Sequence, residues 1–213
     1  KDNYFYPSAG LSFIPTKAFE GLKSDKGLNY AKLSASIVKV GNASIIGTYD
    51  LNSLYGVSSG YPFGSLSSFS PNQNPTNPLI KPEFMTTSEF GINLGFFNDR
   101  LTLDGSVYST KTTDLITRQT TSAGSGLTSV LTNIGQMTTT GYEIDLGFTP
   151  VKASDFNNLG LKWENRLAYS HNKSIVDKVS DSASEIALQN FTGAGVGIFA
   201  TEGEEFPLIK GIA

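Results

Sequence analysis

Cysteine is absent from this 213-residue chain, and histidine occurs once, at His171. Neither a disulfide framework nor a thiolate metal centre can form, and a lone histidine cannot build the multi-histidine sites common for zinc. Metal and cofactor sites are therefore not expected. Charge is scarce too: Asp, Glu, Lys and Arg make up 16% of the residues, against roughly 25% in ordinary soluble domains. The net charge of −3 leaves no basic excess to hold a phosphate backbone, which sets nucleic acid aside. No apolar run approaches the roughly 18 to 20 residues of a membrane-spanning helix, so a helical membrane protein is excluded. Apolar residues rarely recur at three- and four-residue spacing, and helices are expected to be few. The opening "KDNYFYPSAG" has no charged start, apolar core or small-residue cleavage site, so it does not read as a signal peptide.

What is present is alternation. In residues 90–96, Phe90, Ile92, Leu94 and Phe96 are apolar, while Gly91, Asn93 and Gly95 lie between them. That is the period of a strand with one apolar face. After "FNDR" the phase changes: Leu101, Leu103 and Val107 are apolar, with Thr102, Asp104, Ser106 and Tyr108 opposite. The pair reads as a hairpin with a short turn. Downstream, Tyr142, Ile144, Leu146 and Phe148 alternate with Gly141, Glu143, Asp145 and Gly147; Leu161, Trp163, Leu167 and Tyr169 then alternate with Lys162, Glu164, Arg166 and Ser170. Upstream, Phe5, Ala9, Leu11 and Phe13 form one stripe and Leu33, Ala35 and Ile37 another. About six long strands in three hairpins follow from this spacing, with no domain boundary between them.

The connections alternate in length. "FNDR" and "VKASDFNNLG" are short or moderate and the link near "TKAFEGLKSDKGLNY" is intermediate, whereas residues 42–82, the stretch from Thr117 to Met137 and everything after Val179 are long. Short turns on one rim and long loops on the other are how outer-membrane barrels are built. The same strands also suit a soluble β-sandwich, with each apolar stripe packed into a core. Ionisable groups on the polar stripes (Glu89, Asp104, Glu143, Asp145, Glu164, Arg166) and aromatics near the stripe ends fit a wet lumen and interfacial girdles better. Six strands cannot close a barrel of the known kind, which starts at about eight, so such a chain would be a piece of something larger.

Glu143 and Asp145 share a face two residues apart, but no positioned partner accompanies them and alternation already accounts for both; no catalytic residue is assigned. "GAGVGIFATEG" lacks the lysine of a phosphate-binding loop. His171, near a strand end, reads as an exposed, non-catalytic residue.

Five blocks in order, "FYPSAGLSFI", "YAKLSASIVKVGN", "NPLIKPEFMTTSEFGINLGFFNDRLTLDGSVYSTKTTDLI", "LTSVLTNIGQMTTTGYEIDLGFTPV" and "LKWENRLAYSHNKSIV", resemble the barrel of the SusC/RagA family, the TonB-linked outer-membrane transporters of Bacteroidetes. The resemblance implies an all-β, antiparallel up-and-down transmembrane barrel, with residues 1–213 supplying about six strands of a roughly 22-stranded plugged barrel. The plug domain, the TonB-contacting segment and the terminal barrel strands would lie outside this chain. It further implies TonB-dependent import of a nutrient oligomer, most often an oligosaccharide and in some members an oligopeptide, with a SusD-like surface lipoprotein as a hinged lid, and no covalent chemistry. On this reading Glu89, Asn93, Asp104, Tyr108, Glu143, Asp145 and Arg166 face the lumen, Phe90, Ile92, Leu94, Leu101, Leu103 and Val107 face lipid, and the short turns face the periplasm. The loop at 42–82 carries Tyr49, Tyr55, Tyr61, Phe63 and Phe69 among Gly, Ser and Asn, flat amphipathic surfaces suited to contact substrate. The competing expectation is a soluble or surface-exposed β-sandwich adhesin or glycan-binding module, and a passive porin is a third.

Overall fold

The computed structural model describes residues 3–52, 55–59, 67–152, 155, 160–180, 183–191 and 196–211. Thirteen strands occur among them. In chain order they are β1 (Ser8–Phe13), β2 (Leu28–Asn42), β3 (Tyr55–Ser59), β4 (Ser67–Pro71), β5 (Glu83–Phe96), β6 (Leu101–Thr113), β7 (Ile116–Thr120), β8 (Ser129–Asn133), β9 (Gln136–Val151), β10 (Trp163–Lys178), β11 (Glu185–Phe191), β12 (Val196–Thr201) and β13 (Leu208–Gly211). A main sheet runs β1-β2-β5-β6-β9-β10, and three small sheets are β3-β4, β7-β8 and β11-β12-β13. The six alternating segments of the sequence are the six strands of the main sheet. Phe5 precedes β1 and Leu161 precedes β10, so these two stripes are shorter than expected.

The long connections, expected as loops, instead contain all seven remaining strands. Local pairing explains this. In β3-β4, Val57 lies opposite Phe69 and Tyr55 opposite Pro71; in β7-β8, Ile116 pairs with Asn133 and Arg118 with Leu131. Such hairpins satisfy backbone donors and acceptors that an irregular loop would leave to water.

The chain divides into two compact units. The first comprises residues 1–40, 86–111 and 138–174, and the second 41–85, 112–137 and 175–213. All short connections belong to the first and all long ones to the second.

In the first unit, β1 and β2 pair antiparallel with Ala9 opposite Ile37, Leu11 opposite Ala35 and Phe13 opposite Leu33, which puts the apolar residues of both strands on one face. A single helical turn, Pro15–Ala18, follows β1; Thr16 beneath it accepts a hydrogen bond from the Ala31 backbone N–H at 3.1 Å. Proline at the first helical position matches its fixed φ and missing donor. The turn between β5 and β6 takes three consecutive left-handed residues, Phe97, Asn98 and Asp99, at φ 56°, 55° and 59°. Asn and Asp tolerate that region; phenylalanine does so at a cost. Neighbouring segments hold the turn in place. Phe97 N–H donates to the Gly27 carbonyl at 2.9 Å, Asn29 Nδ2 donates to Asp99 at 2.6 Å, and Lys152 Nζ donates to the Asn98 carbonyl. Arg100 donates to the Pro150 carbonyl at 3.1 Å and forms a two-pronged ion pair with Asp155 at 2.5 and 2.7 Å.

In the second unit, residues 73–81 lie along β8. Asn77 N–H donates to the Leu131 carbonyl at 2.8 Å and Leu131 N–H to the Pro75 carbonyl at 3.0 Å, while Asn133 exchanges hydrogen bonds with the Lys81 backbone at 2.7 and 2.8 Å. Leu131, the most buried large side chain among the described residues, sits at the centre of this seam. A second cluster packs Val176, Val179 and Ile186 against Ile134, Ala200 and Phe206. Beside it, Glu185 accepts from Lys210 and Thr201, which lowers its carboxyl pKa, the lysine contributing most.

The Arg100 guanidinium, chiefly by hydrogen bonding, and then the Lys152 backbone N–H hold the Asp155 carboxyl down to about 2. Its folded value lies below the unfolded value of about 3.9, so the stabilisation is full above that pH and is lost as pH falls through the folded value. Asp155→Asn is expected to lower the urea midpoint of the folded protein at pH 7, with the gap to wild type closing between about pH 4 and pH 2 as that pairing titrates; a pH-independent gap would show that the pair is not its source.

Candidate functional site

The two faces of the main sheet differ in chemistry. One face carries a concavity of about 540 Å³ lined by Ser34, Glu89, Asn93, Asp104, Glu143, Asp145 and Arg166 among others. Alternation and register put these side chains together: odd positions of β5 and β9 share a face with even positions of β6 and β10, as the pairs Asn93–Asp104 and Asp145–Arg166 show. Within the concavity Asn93 Nδ2 donates to Asp104 at 2.5 Å across β5 and β6. Arg166 grips Asp145 with Nε at 2.7 and 2.9 Å and a terminal nitrogen at 2.5 Å across β9 and β10. Glu89 and Glu143 line the same space. Four carboxylates and one guanidinium leave it acidic. The arrangement offers hydrogen bonding and negative potential to whatever fills it; it holds no general acid–base pair positioned on a shared reacting atom. Among the described residues no group of three or more His, Asp or Glu side chains is placed to hold a metal ion.

Small residues shape this face. A Cβ built on Gly91 would meet Ser34 Oγ at 2.7 Å, and one on Gly141 would lie 2.6 Å from the Tyr108 ring and 2.9 Å from the His171 carbonyl. Tyr108 therefore lies across bare backbone, and an aromatic ring covering a strand glycine restores packing that the glycine cannot supply.

The opposite face is apolar and uncovered. Gly105 lies against Ile92 there. Leu11 is 82% exposed, Leu167 66% and Val107 54%, and Phe90, Ile144, Phe148 and Trp163 are also exposed. Ala31 alone among the described apolar residues of the first unit is buried. A sandwich of this size would close over such a face. The Tyr142 ring lies tilted against Tyr169 and His171, with centroids 5.9 and 5.6 Å away. Among the described residues no helix is long and apolar enough to cross a membrane.

The loop aromatics lie in the second unit. Tyr49, at φ 69°, occupies a turn and is exposed. Tyr55 and Phe69 are exposed on the β3-β4 hairpin, whose register places Tyr55, Val57, Phe69 and Pro71 on one face. Tyr61 and Phe63 fall outside the described residues. The structure thus brings Glu89, Asn93, Asp104, Glu143, Asp145 and Arg166 to one concavity, places Tyr108 over Gly141 outside its lining, and joins Tyr55 to Phe69 on one hairpin face, while no ring contact among the described residues links Tyr49 to them.

The TonB dependent receptor-like β-barrel family model matches residues 1–198. The chain belongs to that family. It is 26% identical to TonB-dependent receptor P26 of Formosa agariphila over 98% of its own length and 20% of the relative's. It is 30% identical to TonB-dependent receptor SusC of Bacteroides thetaiotaomicron over 53% of its length and 11% of that protein's. In fold it is similar to the structure of the RagAB peptide transporter, with a TM-score of 0.74 and 23% identity over 93% of this chain and 20% of that one. The chain thus spans about a fifth or less of the length of these relatives. As a member of a TonB-dependent receptor family it is a segment of an outer-membrane β-barrel, homologous to receptors such as SusC. That membership, with the uncovered apolar face, replaces the soluble sandwich.

Pocket-lining residues of the second unit, such as Ile134, Gln136 and Phe206, were not legible in advance. They come from separate segments around residues 115–117, 134–137, 176–179, 186–188, 200 and 206.

A Cβ at Gly141 has backbone on one side and a ring on the other, and cannot be absorbed by a flexible neighbour. Gly141→Ala is expected to lower stability to unfolding by about 1–3 kcal/mol, read in urea titrations by tyrosine and tryptophan fluorescence; an unchanged midpoint would show that this strand has room for a side chain there.

Proposed function

We propose that this chain is wall and loop of a TonB-dependent importer of nutrient oligomers, glycan or peptide. The observation that carries the reading is the two-faced main sheet in a chain of this family: an uncovered apolar face behind an acidic, hydrogen-bonding concavity. Residues 1–213 form part of the barrel domain, with the plug, the TonB-contacting segment and the rest of the barrel supplied by the remainder of the protein. Glu89, Asn93, Asp104, Tyr108, Glu143, Asp145 and Arg166 face the lumen and plug, while Phe90, Ile92, Leu94, Leu101, Leu103 and Val107 face lipid. The short turns face the periplasm and the long connections face outward, as loop lengths do in outer-membrane barrels.

A SusD-like surface lipoprotein closes the outer mouth as a lid, and TonB, driven by the inner-membrane proton gradient, acts on the plug from below. The membership in a TonB-dependent family supports the second partner, and similarity to SusC and to a structure named for a two-protein peptide transporter supports the first. The exposed aromatics Tyr49, Tyr55 and Phe69, with Tyr61 and Phe63, serve as a contact surface for cargo. Aromatic planes among Gly, Ser and Asn suit recognition of either sugar or peptide.

In cells expressing the whole receptor, uptake of its cargo is expected to stop when TonB is deleted, whereas a passive porin would continue. Leu94→Arg is expected to destabilise the inserted barrel by about 2–4 kcal/mol if that position lies near the bilayer midplane. Asn93→Arg, one residue away on the other face, is expected to insert normally, and equal behaviour of the two would remove the facing assignment. Deleting residues 56–70 is expected to weaken cargo binding to the purified receptor; unchanged cargo binding and unchanged lid association would remove the role of the loop.

A further inference from the structure

The second unit contains an apolar pocket of about 140 Å³ between the root of the β7-β8 hairpin, the end of β10 and the β11-β12-β13 sheet. Its walls include Leu115, Ile134, Met137, Val176, Ile186 and Phe206. Against it lies a second cavity of about 280 Å³ that shares Ile134, Gly135, Gln136, Lys178 and Val179 and is otherwise lined by Asp114, Asn133 and Ser180. Gly135 belongs to both. At φ 84° it lies so close to β10 that a Cβ would come within 2.8 Å of the Lys178 carbonyl, so bare backbone forms the wall at the junction.

The two cavities ask for a ligand with two unlike parts. A cavity of about 150 Å³ lined by aliphatic and aromatic side chains accepts benzene, so the inner pocket has room for one phenyl or branched aliphatic group. A pyranose would carry hydroxyls on every side into walls that are mostly carbon, with Thr117, Gln136 and Lys178 the polar side chains of the lining, and would lose more water than these could replace. The outer cavity offers the opposite chemistry. Asn133 there is locked by bonds to the carbonyls of Lys81 and Asp114 at 2.8 Å each. The Gln136 amide has no hydrogen bond among the described residues and offers both a donor and an acceptor. A backbone amide needs that pair. An apolar side chain on an amide-bearing stem is an amino-acid residue within a peptide.

We propose that these joined cavities are a side-chain subsite for peptide cargo, the inner pocket taking one aromatic or branched aliphatic side chain and Gln136 meeting its backbone amide. The inference rests on the transport reading above and selects peptide over glycan within it.

The test uses the whole receptor purified with its lid. The probes are capped hexapeptides of Gly and Ser, the same peptides with one Phe or Leu inside, and maltohexaose, titrated by calorimetry. Phe- and Leu-bearing peptides are expected to bind at least tenfold more tightly than the Gly/Ser parent. Ala200→Phe, which fills the pocket from its β12 wall, is expected to erase that preference, so that Phe, Leu and Gly/Ser peptides bind the variant alike. Leu188→Asp, at the more exposed side of the pocket, is expected to do the same if the first variant fails the heat-modifiability check for a folded barrel. Equal binding of Phe, Leu and parent peptides, or a preference that survives in a folded variant, overturns the subsite. Maltohexaose binding with no peptide preference also overturns it yet leaves the importer standing, whereas cargo uptake that persists without TonB overturns the importer itself.

Discussion

Backbone hydrogen bonding between neighbouring strands holds the main sheet together, because its side chains bury so little. A ladder of N–H and C=O groups paired strand to strand is the one way a β chain can lie against hydrocarbon without unsatisfied polar groups. Once that ladder is in place, the faces are free to differ. One carries Leu11, Phe90, Val107 and Leu167 outward, and the other gathers Asn93 with Asp104 and Asp145 with Arg166. In a soluble domain the first face would be a large liability. In an outer-membrane barrel it is the surface that the surrounding solvent requires.

The turns and the long connections solve different problems. At the β5-β6 turn the chain reverses in four residues, which forces Phe97, Asn98 and Asp99 into the left-handed region. The cost is offset by cross-links from Gly27, Asn29, Lys152 and Asp155 rather than by local sequence alone. The second unit is organised by long-range pairing instead. Residues 73–81 seat on β8 around Leu131, and Val176, Val179 and Ile186 close a separate small core. Loops built this way have fixed surfaces, and a surface ordered in advance loses less freedom when it binds.

How much of this could be read from the chain depends on the range of the interaction. Periodicity of two is set by the backbone of each strand, so the six wall strands and the composition of their faces were visible from Phe90 to Phe96 and from Tyr142 to Phe148 without any knowledge of pairing. The contrast between short and long connections was equally plain. The hairpins inside the long connections were not, because strands such as "SVLTN" and "SSFSP" are five residues long and carry no strong alternation. Their formation depends on a partner, not on propensity.

The sequence by itself determined the architecture and its chemical polarity, since alternation dictates which side chains share a face once strands form. It also carried the family resemblance, in ordered blocks that the match over residues 1–198 bears out. Only the tertiary structure decided which polar residues meet across strands. Register selects Asp104 for Asn93 and Asp145 for Arg166, and a slip of one residue would part them. Only the tertiary structure, likewise, brought Leu115, Ile134, Val176, Ile186 and Phe206 around one cavity. Residues that far apart in the chain become neighbours through the closure of several hairpins, and no local pattern encodes where those closures coincide.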